Sequence, residues 1–266
     1  MPTRALRTAA SGMYVQQINI QTISNNIANM NTTSFKKNRA EFKDLIYQEV
    51  AANPKNIDIA GIVENPNSKI QVGTGVKPSS TQKLFMQGDL QTTGNAYDVA
   101  IYGDGFFQLR KPDGNYVYTR DGSFKMSADG TIVSTNGHVL EPGFTITSDV
   151  REFAVSTDGR VTVTQTNGDI VEMGQIDLVK FVNPGGLKAL GDNLYAETET
   201  SGVPLIGTPG FEGFGELRQG FLESSNVDIV EEMIGMITAQ RAYEINSKTV
   251  QTVENMMSMA NNLKRG

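Results

Sequence analysis

The chain has 266 residues, no cysteine and a formal net charge of −6 at neutral pH. The lack of cysteine excludes disulfides, thiolate catalysis and cysteine-ligated metals, and the acidic balance without a basic run argues against a nucleic-acid partner. The length suits one large domain or two to three small ones. The chain has no run of about 18 apolar residues, so we expect no membrane insertion.

Glycine and proline are concentrated in the middle of the chain. All glycines except Gly12, Gly235 and Gly266, and all prolines except Pro2, lie between residues 32 and 225. Because both residues disfavour helix interiors, the sequence predicts one long helix at each end of the chain, over residues 1–31 and 226–266.

A seven-residue repeat marks the N-terminal helix. The repeat forms two rows, and the second row consists of Ala9, Gln16, Ile23 and Met30. Sustained heptads keep one seam against a partner helix, although an ordinary core helix of a globular domain gives the same periodicity. The first row consists of Leu6, Met13, Ile20 and Ile27.

The C-terminal helix carries its own start signal and apolar rows. Ser225 or Asn226 can cap it, and Glu231 and Glu232 follow in the first turn, where carboxylates suit the helix dipole. We expect the two terminal helices to pair as a coiled coil and to assemble with neighbouring copies. The residues predicted to form the helical seams are Leu6, Met13, Ile20, Ile23, Ile27, Val230, Ile234, Ile237, Val253, Met256 and Leu263.

The middle of the chain alternates short apolar runs with turn signals. Asn-Gly and Asp-Gly pairs supply the positive φ of tight hairpins, so we expect mainly antiparallel sheets in a sandwich or an irregular barrel, and an α+β chain overall. The pairs are Asp113-Gly114, Asp121-Gly122, Asp129-Gly130, Asn136-Gly137, Asp158-Gly159 and Asn167-Gly168.

The domain organisation follows from these patterns. Residues 1–31 and 226–266 form a terminal helical domain, residues 32–96 and 200–225 a connecting domain, and residues 97–199 a β domain. Residues 49–70 interrupt the connecting domain with two prolines and several isoleucines. A long insertion of this kind is usually functional, and we expect it to pack on adjacent copies and stiffen an assembly. Its isoleucines are Ile57, Ile59, Ile62 and Ile70.

Catalytic signals are weak, so we predict no enzyme, no metal and no cofactor. His138, the single histidine, adjoins a hairpin turn and has no acid or nucleophile nearby in sequence. Ser34 and Lys37 fit an S-x-x-K pattern, but the accompanying S-D-N and K-T-G motifs are missing.

Several motifs together resemble the bacterial flagellar rod and hook proteins. The resemblance spans almost the whole chain, with Ser34 standing where the family pattern has glycine. The opening motif is Ala9-Ala10-Ser11-Gly12-Met13 with residues 24–36. The body motifs are Gly88-Asp89-Leu90, Gly103-Asp104-Gly105-Phe106-Phe107 and Tyr118-Thr119-Arg120-Asp121-Gly122-Ser123-Phe124. The closing motif is Ser224-Ser225-Asn226-Val227-Asp228 with residues 240–248.

The resemblance implies a structural subunit that polymerises helically around a central channel. Chain length, Tyr47-Gln48 and Gly73-Thr74-Gly75-Val76 favour the distal part of the rod, a rigid shaft that transmits torque from motor to hook. The implied partners are further copies, proximal rod proteins, the hook protein, the surrounding P- and L-ring proteins and the flagellar type III export apparatus. The implied location is the periplasmic part of the basal body, reached without a cleavable signal peptide.

Two other interpretations are open. A proximal rod protein of the same family differs in its place along the shaft and in a shorter or absent insertion. A β-rich secreted adhesin or binding module belongs to a different class, and it predicts a stable monomer that forms no filaments.

Overall fold

The computed structural model describes residues 2–51, 69–146 and 150–265, which form two α-helices, one short 3-10 helix (Pro184–Gly186) and twenty β-strands. The helices are α1 (Pro2–Ala28) and α2 (Ile229–Arg265). The strands are β1 (Asn38–Asp44), β2 (Gln48–Ala51), β3 (Lys69–Val72), β4 (Val76–Lys83), β5 (Leu90–Thr92), β6 (Val99–Tyr102), β7 (Phe106–Arg110), β8 (Tyr116–Thr119), β9 (Phe124–Met126), β10 (Ile132–Ser134), β11 (Val139–Leu140), β12 (Val150–Val155), β13 (Arg160–Gln165), β14 (Ile170–Gln175), β15 (Leu178–Lys180), β16 (Lys188–Gly191), β17 (Leu194–Ala196), β18 (Leu205–Gly207), β19 (Glu216–Gln219) and β20 (Phe221–Glu223).

The two long terminal helices are confirmed, with shorter bounds than predicted. The expected cap by Asn226 is wrong, because α2 begins at Ile229 and the Asn226 side chain bonds elsewhere. Its Oδ1 accepts from Lys37 N at 2.8 Å, and its Nδ2 donates to the carbonyls of Leu84 and Met86. In the part of the chain that the structure describes, neither helix is apolar enough over a sufficient length to cross a membrane.

The predicted α+β class and the mainly antiparallel middle are confirmed. Among the described strands, the largest sheet has nine, running β16-β17-β8-β7-β11-β10-β9, with β15 joined to β7 and β18 joined to β15. A three-stranded sheet β12-β13-β14 and the pairs β6–β19 and β5–β20 complete the middle of the chain. The described registers of these pairs are antiparallel.

The core lies on both faces of the nine-stranded sheet. Successive strand residues point to opposite faces, so Phe107 and Val117 enter one apolar cluster while their neighbours Phe106 and Tyr118 enter another. The first cluster also includes Phe153 and other side chains of the three-stranded sheet. Because β7 and β8 are covered on both sides, apolar residues are adjacent in each strand, as in Phe106-Phe107 and Val117-Tyr118, and do not strictly alternate with polar ones.

Five of the six predicted turn dipeptides join paired antiparallel strands. Asp113-Gly114, for example, lies between β7 and β8. Asp121-Gly122 does not join a hairpin, because β8 pairs with β7 and β17 while β9 pairs with β10. Gly122 instead accepts a hydrogen bond from the amide of Val99, at 3.1 Å. The dipeptide pattern therefore identified a bend, and only the long-range pairing distinguished it from a hairpin.

The chain divides into two compact units. One unit consists of Met1–Asn25, Arg39–Thr81 and Val230–Gly266, and the other of Asn26–Asn38 and Gln82–Ile229. The first unit thus groups β2, β3 and most of β1 and β4 with most of both helices. The second contains β5 to β20. The finer division into three domains made from the sequence stays a prediction.

Candidate assembly surface and buried junction

One side of α2 is buried along most of its length. Glu232, Ala239 and Val253 are buried and Asn246 is half-buried, and these residues are seven apart. Seven residues are nearly two helical turns, so the four side chains share a face. Of these four residues, the sequence pattern placed only Val253 among the predicted seam residues. It did not mark Glu232 and Ala239, because a carboxylate and a small residue give little apolar signal.

The predicted rows of α1 are covered to different degrees. Ala9 and Ile23, from the second row, are buried, as is Val15, which neither row included. The buried face of α1 is therefore centred on the second row, and the first row lies at the edge of that face. The first-row residues are all half-buried: Leu6, Met13, Ile20 and Ile27.

The two helices contact each other at small residues. A methyl group added to Gly12 would lie 2.9 Å from Asn246 Nδ2, and one added to Gly235 would lie 3.4 Å from Ile23 Cδ1. The step forward along α1 from Gly12 to Ile23 matches the step backward along α2 from Asn246 to Gly235. The helices therefore pack antiparallel, and glycine at these two positions allows the close approach.

Most of the predicted seam residues of α2 are exposed in the single chain. Val253 alone among them is buried, at 5% exposure, whereas the others are between 51% and 85% exposed. An apolar side chain this exposed makes few contacts within its own chain. The exposed seam residues are Val230, Ile234, Ile237, Met256 and Leu263.

Val230, Ile234 and Ile237 lie opposite the buried row, whereas Met256, three residues after Val253, lies beside it. Ile237 precedes the buried Ala239 by two residues, which rotates it by about 200° around the helix axis. The helix therefore has a buried side facing α1 and a second, exposed apolar side. Three exposed residues on or beside this second side were not in the predicted set, because they fall outside strict heptad spacing. They are Met233, Ile245 and Met259.

The predicted insertion is described only at its base. Ile57, Ile59 and Ile62 lie outside the described residues, and Ile70 is described as a backbone position in β3, paired with Val50. The expected packing of these isoleucines on neighbouring copies stays a prediction.

A buried carboxylate, Glu223, joins distant segments of the second unit. Its Oε1 accepts from Lys36 Nζ at 2.6 Å and from Gly88 N at 2.9 Å, while its Oε2 accepts from Arg120 Nε at 2.9 Å. Its backbone carbonyl accepts from Ser34 N at 2.7 Å. Four chain segments therefore meet at one residue, which we call the Glu223 junction together with Lys36, Arg120 and Ser34.

The charges of this junction are withdrawn from water. The side chains of Lys36 and Glu223 have no exposed surface, and that of Arg120 is 3% exposed. Burial lowers the pKa of Lys36 to about 8, because desolvation of the ammonium outweighs its attraction to Glu223. Lys36 Nζ also donates to the Met86 carbonyl, at 2.8 Å.

Arg120 extends the junction to a further loop. Its Nη2 donates to the carbonyl of Gly103 at 2.8 Å and its Nη1 to that of Gly105 at 3.2 Å. A planar guanidinium can bond several acceptors in fixed directions, whereas a lysine amine cannot reproduce that fork. Arg120 thereby fixes the Gly103–Gly105 loop relative to Glu223.

Ser34, the departure from the family pattern, keeps the conformation that glycine would provide. Its φ is 56°, in the left-handed region that favours glycine. Its buried hydroxyl donates to the Arg120 carbonyl at 2.9 Å, and this bond offsets part of the backbone cost. The turn after α1 is thus retained with a different residue.

The structure places the two weak catalytic candidates, Ser34 and His138, in turns. The Ser34 hydroxyl is buried and donates its proton to a backbone carbonyl, so it is not placed as a nucleophile. His138 is half-buried at the start of β11, and its backbone amide bonds Ser134 Oγ. Both residues hold turns.

The motifs that carry the family resemblance converge here. Ser34 and Lys36 come from the opening motif, Gly88 and Arg120 from body motifs, and Glu223 directly precedes the closing motif. Sequence reasoning missed Glu223. The only signal for Glu223 in the sequence is that an acidic residue directly follows the apolar Phe-Leu pair of β20.

Comparisons with known protein families agree in three segments of the chain. Three family models match: "Flagella basal body rod protein" at residues 6–36, "Flagellar hook protein FlgE/F/G D1 domain" at residues 100–163, and "Flagellar basal body rod FlgEFG protein C-terminal" at residues 218–263. The first and third cover α1 and α2, and the second covers part of the nine-stranded sheet.

Individual relatives match at nearly full length. The chain is 50% identical to the flagellar basal-body rod protein FlgG of Borreliella burgdorferi, over 98% of this chain and 99% of that protein. It is 43% identical to FlgG of Agrobacterium fabrum, over 98% and 100%, and 38% identical to FlgG of Bacillus subtilis, over 98% and 99%. With this identity and coverage, the chain belongs to the flagellar basal-body rod protein family.

Proposed function

We propose that this chain is a structural subunit of the distal flagellar rod. It polymerises helically into a rigid hollow shaft that transmits torque from the motor to the hook. Relatives that match this chain at nearly full length are named as basal-body rod proteins, which supports this assignment. We propose no enzymatic activity for it.

The observation that carries the proposal is the second apolar side of α2. Val230, Ile234 and Ile237 are more than half exposed, although the same helix buries its other side against α1. Burying apolar surface contributes about 25 cal/mol per Å², so a row of such residues favours association with another molecule. In a helical polymer the complementary surface belongs to the next copy.

The contact between subunits is of the head-to-tail kind. Such an interface uses two different patches on each copy, and it produces an open helical filament when the rotation does not close. We propose that the α1–α2 pair is extended by helices of neighbouring copies into a coiled-coil inner tube. The half-buried row of α1, including Met13 and Ile20, supplies surface for these contacts.

The remaining partners follow from membership of the family. We propose that proximal rod proteins and the hook protein adjoin the polymer at its two ends, and that the P- and L-ring proteins surround it. The proposed location is the periplasmic part of the basal body. We propose export through the flagellar type III apparatus.

The insertion is proposed to stiffen the shaft. Residues 49–70 are too rich in isoleucine for a solvated linker, as Ile57, Ile59 and Ile62 show. A segment that ties adjacent copies opposes the sliding that lets a helical tube bend. Deleting residues 52–68 should therefore leave assembly intact and make polymers curved, which electron microscopy of purified rods would measure.

The central test replaces one exposed residue of α2. Ile234→Asp places a carboxylate where the proposal requires a buried contact between copies, and burying an unpaired charge is expensive. The variant should retain the melting temperature of the monomer, because Ile234 is 58% exposed, yet form no rods. Ile234→Val keeps an apolar side chain and should form rods. Normal rods from Ile234→Asp would contradict the proposal.

Two alternatives are separated by assembly behaviour. Size-exclusion chromatography and negative-stain microscopy at rising concentration distinguish a polymerising subunit from an adhesin, which stays monomeric. Cryo-electron microscopy of isolated basal bodies distinguishes a distal from a proximal rod protein by its position along the shaft.

A further inference from the structure

The base of the insertion forms a defined stem. We use this word for residues 45–51 and 69–76, in which β2 pairs with β3 from Gln48↔Val72 to Ala51↔Lys69. Below this ladder the two sides remain joined, since Leu45 N donates to the Gly75 carbonyl at 2.9 Å and Thr74 Oγ1 donates to the Ile46 carbonyl at 2.7 Å. The stem is therefore one cross-linked element.

The stem is attached to α1 through one serine hydroxyl. Ser11 Oγ donates to the Thr8 carbonyl of its own helix at 2.8 Å, which leaves its lone pairs free to accept. One of them accepts from the amide of Val76 at 3.3 Å. The hydroxyl is thus oriented by α1 and used by the first residue of β4.

The residue that faces Ser11 has no side chain. Gly75 has a φ of 125°, a conformation that other residues rarely adopt, and a methyl group added there would collide with Ser11 Oγ and lie 3.6 Å from Thr8 Cα. The backbone of the stem therefore lies directly on the surface of α1. Neither bulk at Ser11 nor a Cβ at residue 75 is compatible with this contact.

The neighbouring residue of α1 makes the contact with the other helix. Gly12 approaches Asn246 of α2 while Ser11 approaches Gly75, so two consecutive small residues hold two different elements on adjacent faces. Successive helical residues point about 100° apart, which separates the two contacts. The stem and α2 are positioned by the same turn of α1.

We propose that Ser11 and Gly75 form a fixed joint between the insertion stem and α1, and that this joint sets the direction of the stem in the polymer and thereby its straightness. The second part rests on the proposed rod function. A stem held at one angle by all copies presents the insertion identically to each neighbour. A loose joint lets that angle vary from copy to copy, and the shaft then bends.

The first test asks whether the joint exists in solution. Ser11→Ala removes the hydroxyl that accepts from the amide of Val76, and it adds no bulk. We expect the Val76 amide of the full-length monomer to exchange its hydrogen faster in this variant than in the wild type, as measured by NMR. Ser24→Ala is the control, because Ser24 is exposed on the same helix, and it should leave this exchange unchanged.

The second test asks whether the joint sets polymer shape. Gly75→Ala and Ser11→Leu each obstruct the contact, the first through the backbone and a Cβ, the second through bulk alone. Gly94→Ala is the matched control, because Gly94 also has a positive φ, of 70°, but nothing lies within 4 Å of an added methyl group. Electron microscopy should show curved rods for the first two variants and straight rods for the control.

The outcomes separate the joint from the rod function. The joint is overturned if the Val76 amide exchanges equally fast in the wild type and in Ser11→Ala, and its role in shape is overturned if Gly75→Ala and Ser11→Leu both give straight rods. A wild-type chain that never polymerises would instead refute the proposed rod function. Hydrogen exchange measured on the monomer would still decide whether the joint exists.

Discussion

Lys36 and Glu223 are 187 residues apart in the chain and form an ion pair of 2.6 Å in which neither side chain is exposed. Lys36 lies just after α1, and Glu223 ends the last strand before α2. The pair therefore joins the two chain segments that lead to the helices. Arg120 adds a second cation, so the junction holds two positive charges and one negative charge away from water.

The first prediction concerns the carboxylate of this junction. Glu223→Gln leaves the charges of Lys36 and Arg120 buried without a counter-ion, and removing one member of a buried network typically costs about 3–5 kcal/mol. We expect a loss of that order in the free energy of unfolding, measured by urea titration of the full-length monomer.

An exposed ion pair gives the control. Asp104 Oδ2 lies 3.3 Å from Lys180 Nζ, and the Asp104 side chain is 72% exposed. Exposed ion pairs contribute about 1 kcal/mol at most to stability. Asp104→Asn should therefore change stability little. Equal losses in the free energy of unfolding from the two substitutions would show that the buried junction contributes no more to stability than an exposed ion pair.

The second prediction concerns alkaline pH. The pKa of Lys36 is lowered by burial from 10.5 to about 8, so between these values the unfolded chain binds more protons than the folded one. Stability should then rise with pH from about 8 toward 10. Lys83 has a pKa lowered in the same direction by burial. Burial raises the pKa of Tyr118 to about 12, which reduces stability only above its ordinary value of 10.

A variant isolates the lysine. Lys36→Met removes the titrating group and leaves Glu223 paired with Arg120. Melting temperatures of both proteins between pH 7.5 and 9.5 should show a steeper rise for the wild type, because Lys83 and the tyrosines are common to both. Parallel curves would mean that Lys36 is not titrating in this range.

The third prediction separates the two roles of Ser34. Ser34→Ala keeps the cost of a left-handed backbone and loses the bond to the Arg120 carbonyl, so it should destabilise by about 1–2 kcal/mol. Ser34→Gly also loses the bond, but it relieves a backbone cost of roughly 1 kcal/mol. Thermal unfolding should therefore rank the glycine variant above the alanine variant. The reverse order would refute this account of the turn.

The fourth prediction compares two residues of α2 that are three positions apart. Val253 is buried, so Val253→Asp should separate α1 from α2 within the monomer and make both helices sensitive to limited proteolysis. Met256 is 51% exposed, so Met256→Asp should leave the monomer resistant and prevent polymerisation. Identical digestion of the two variants would contradict the placement of Val253 against α1 and of Met256 on the exposed surface beside it.

Local sequence patterns predicted those parts of the fold that depend on neighbouring residues. The scarcity of Gly and Pro at the ends predicted α1 and α2, and Asp113-Gly114 predicted the hairpin of β7 and β8, because turn chemistry acts within a few residues. Asp121-Gly122 shows the limit: the same dipeptide lies at a bend when its flanking strands pair elsewhere.

For the candidate site, the sequence determined which residue types occupy the terminal helices, and hence that they carry more apolar surface than one seam needs. Only the tertiary structure decided which side is used within the chain. Glu232 and Ala239 line the buried side, while Ile234 and Ile237 are left exposed. The choice depends on the close approach of Gly12 to Asn246 and of Gly235 to Ile23, contacts between residues far apart in the chain. The same holds for Glu223, whose partners come from separate segments that meet only because the strands pair around them.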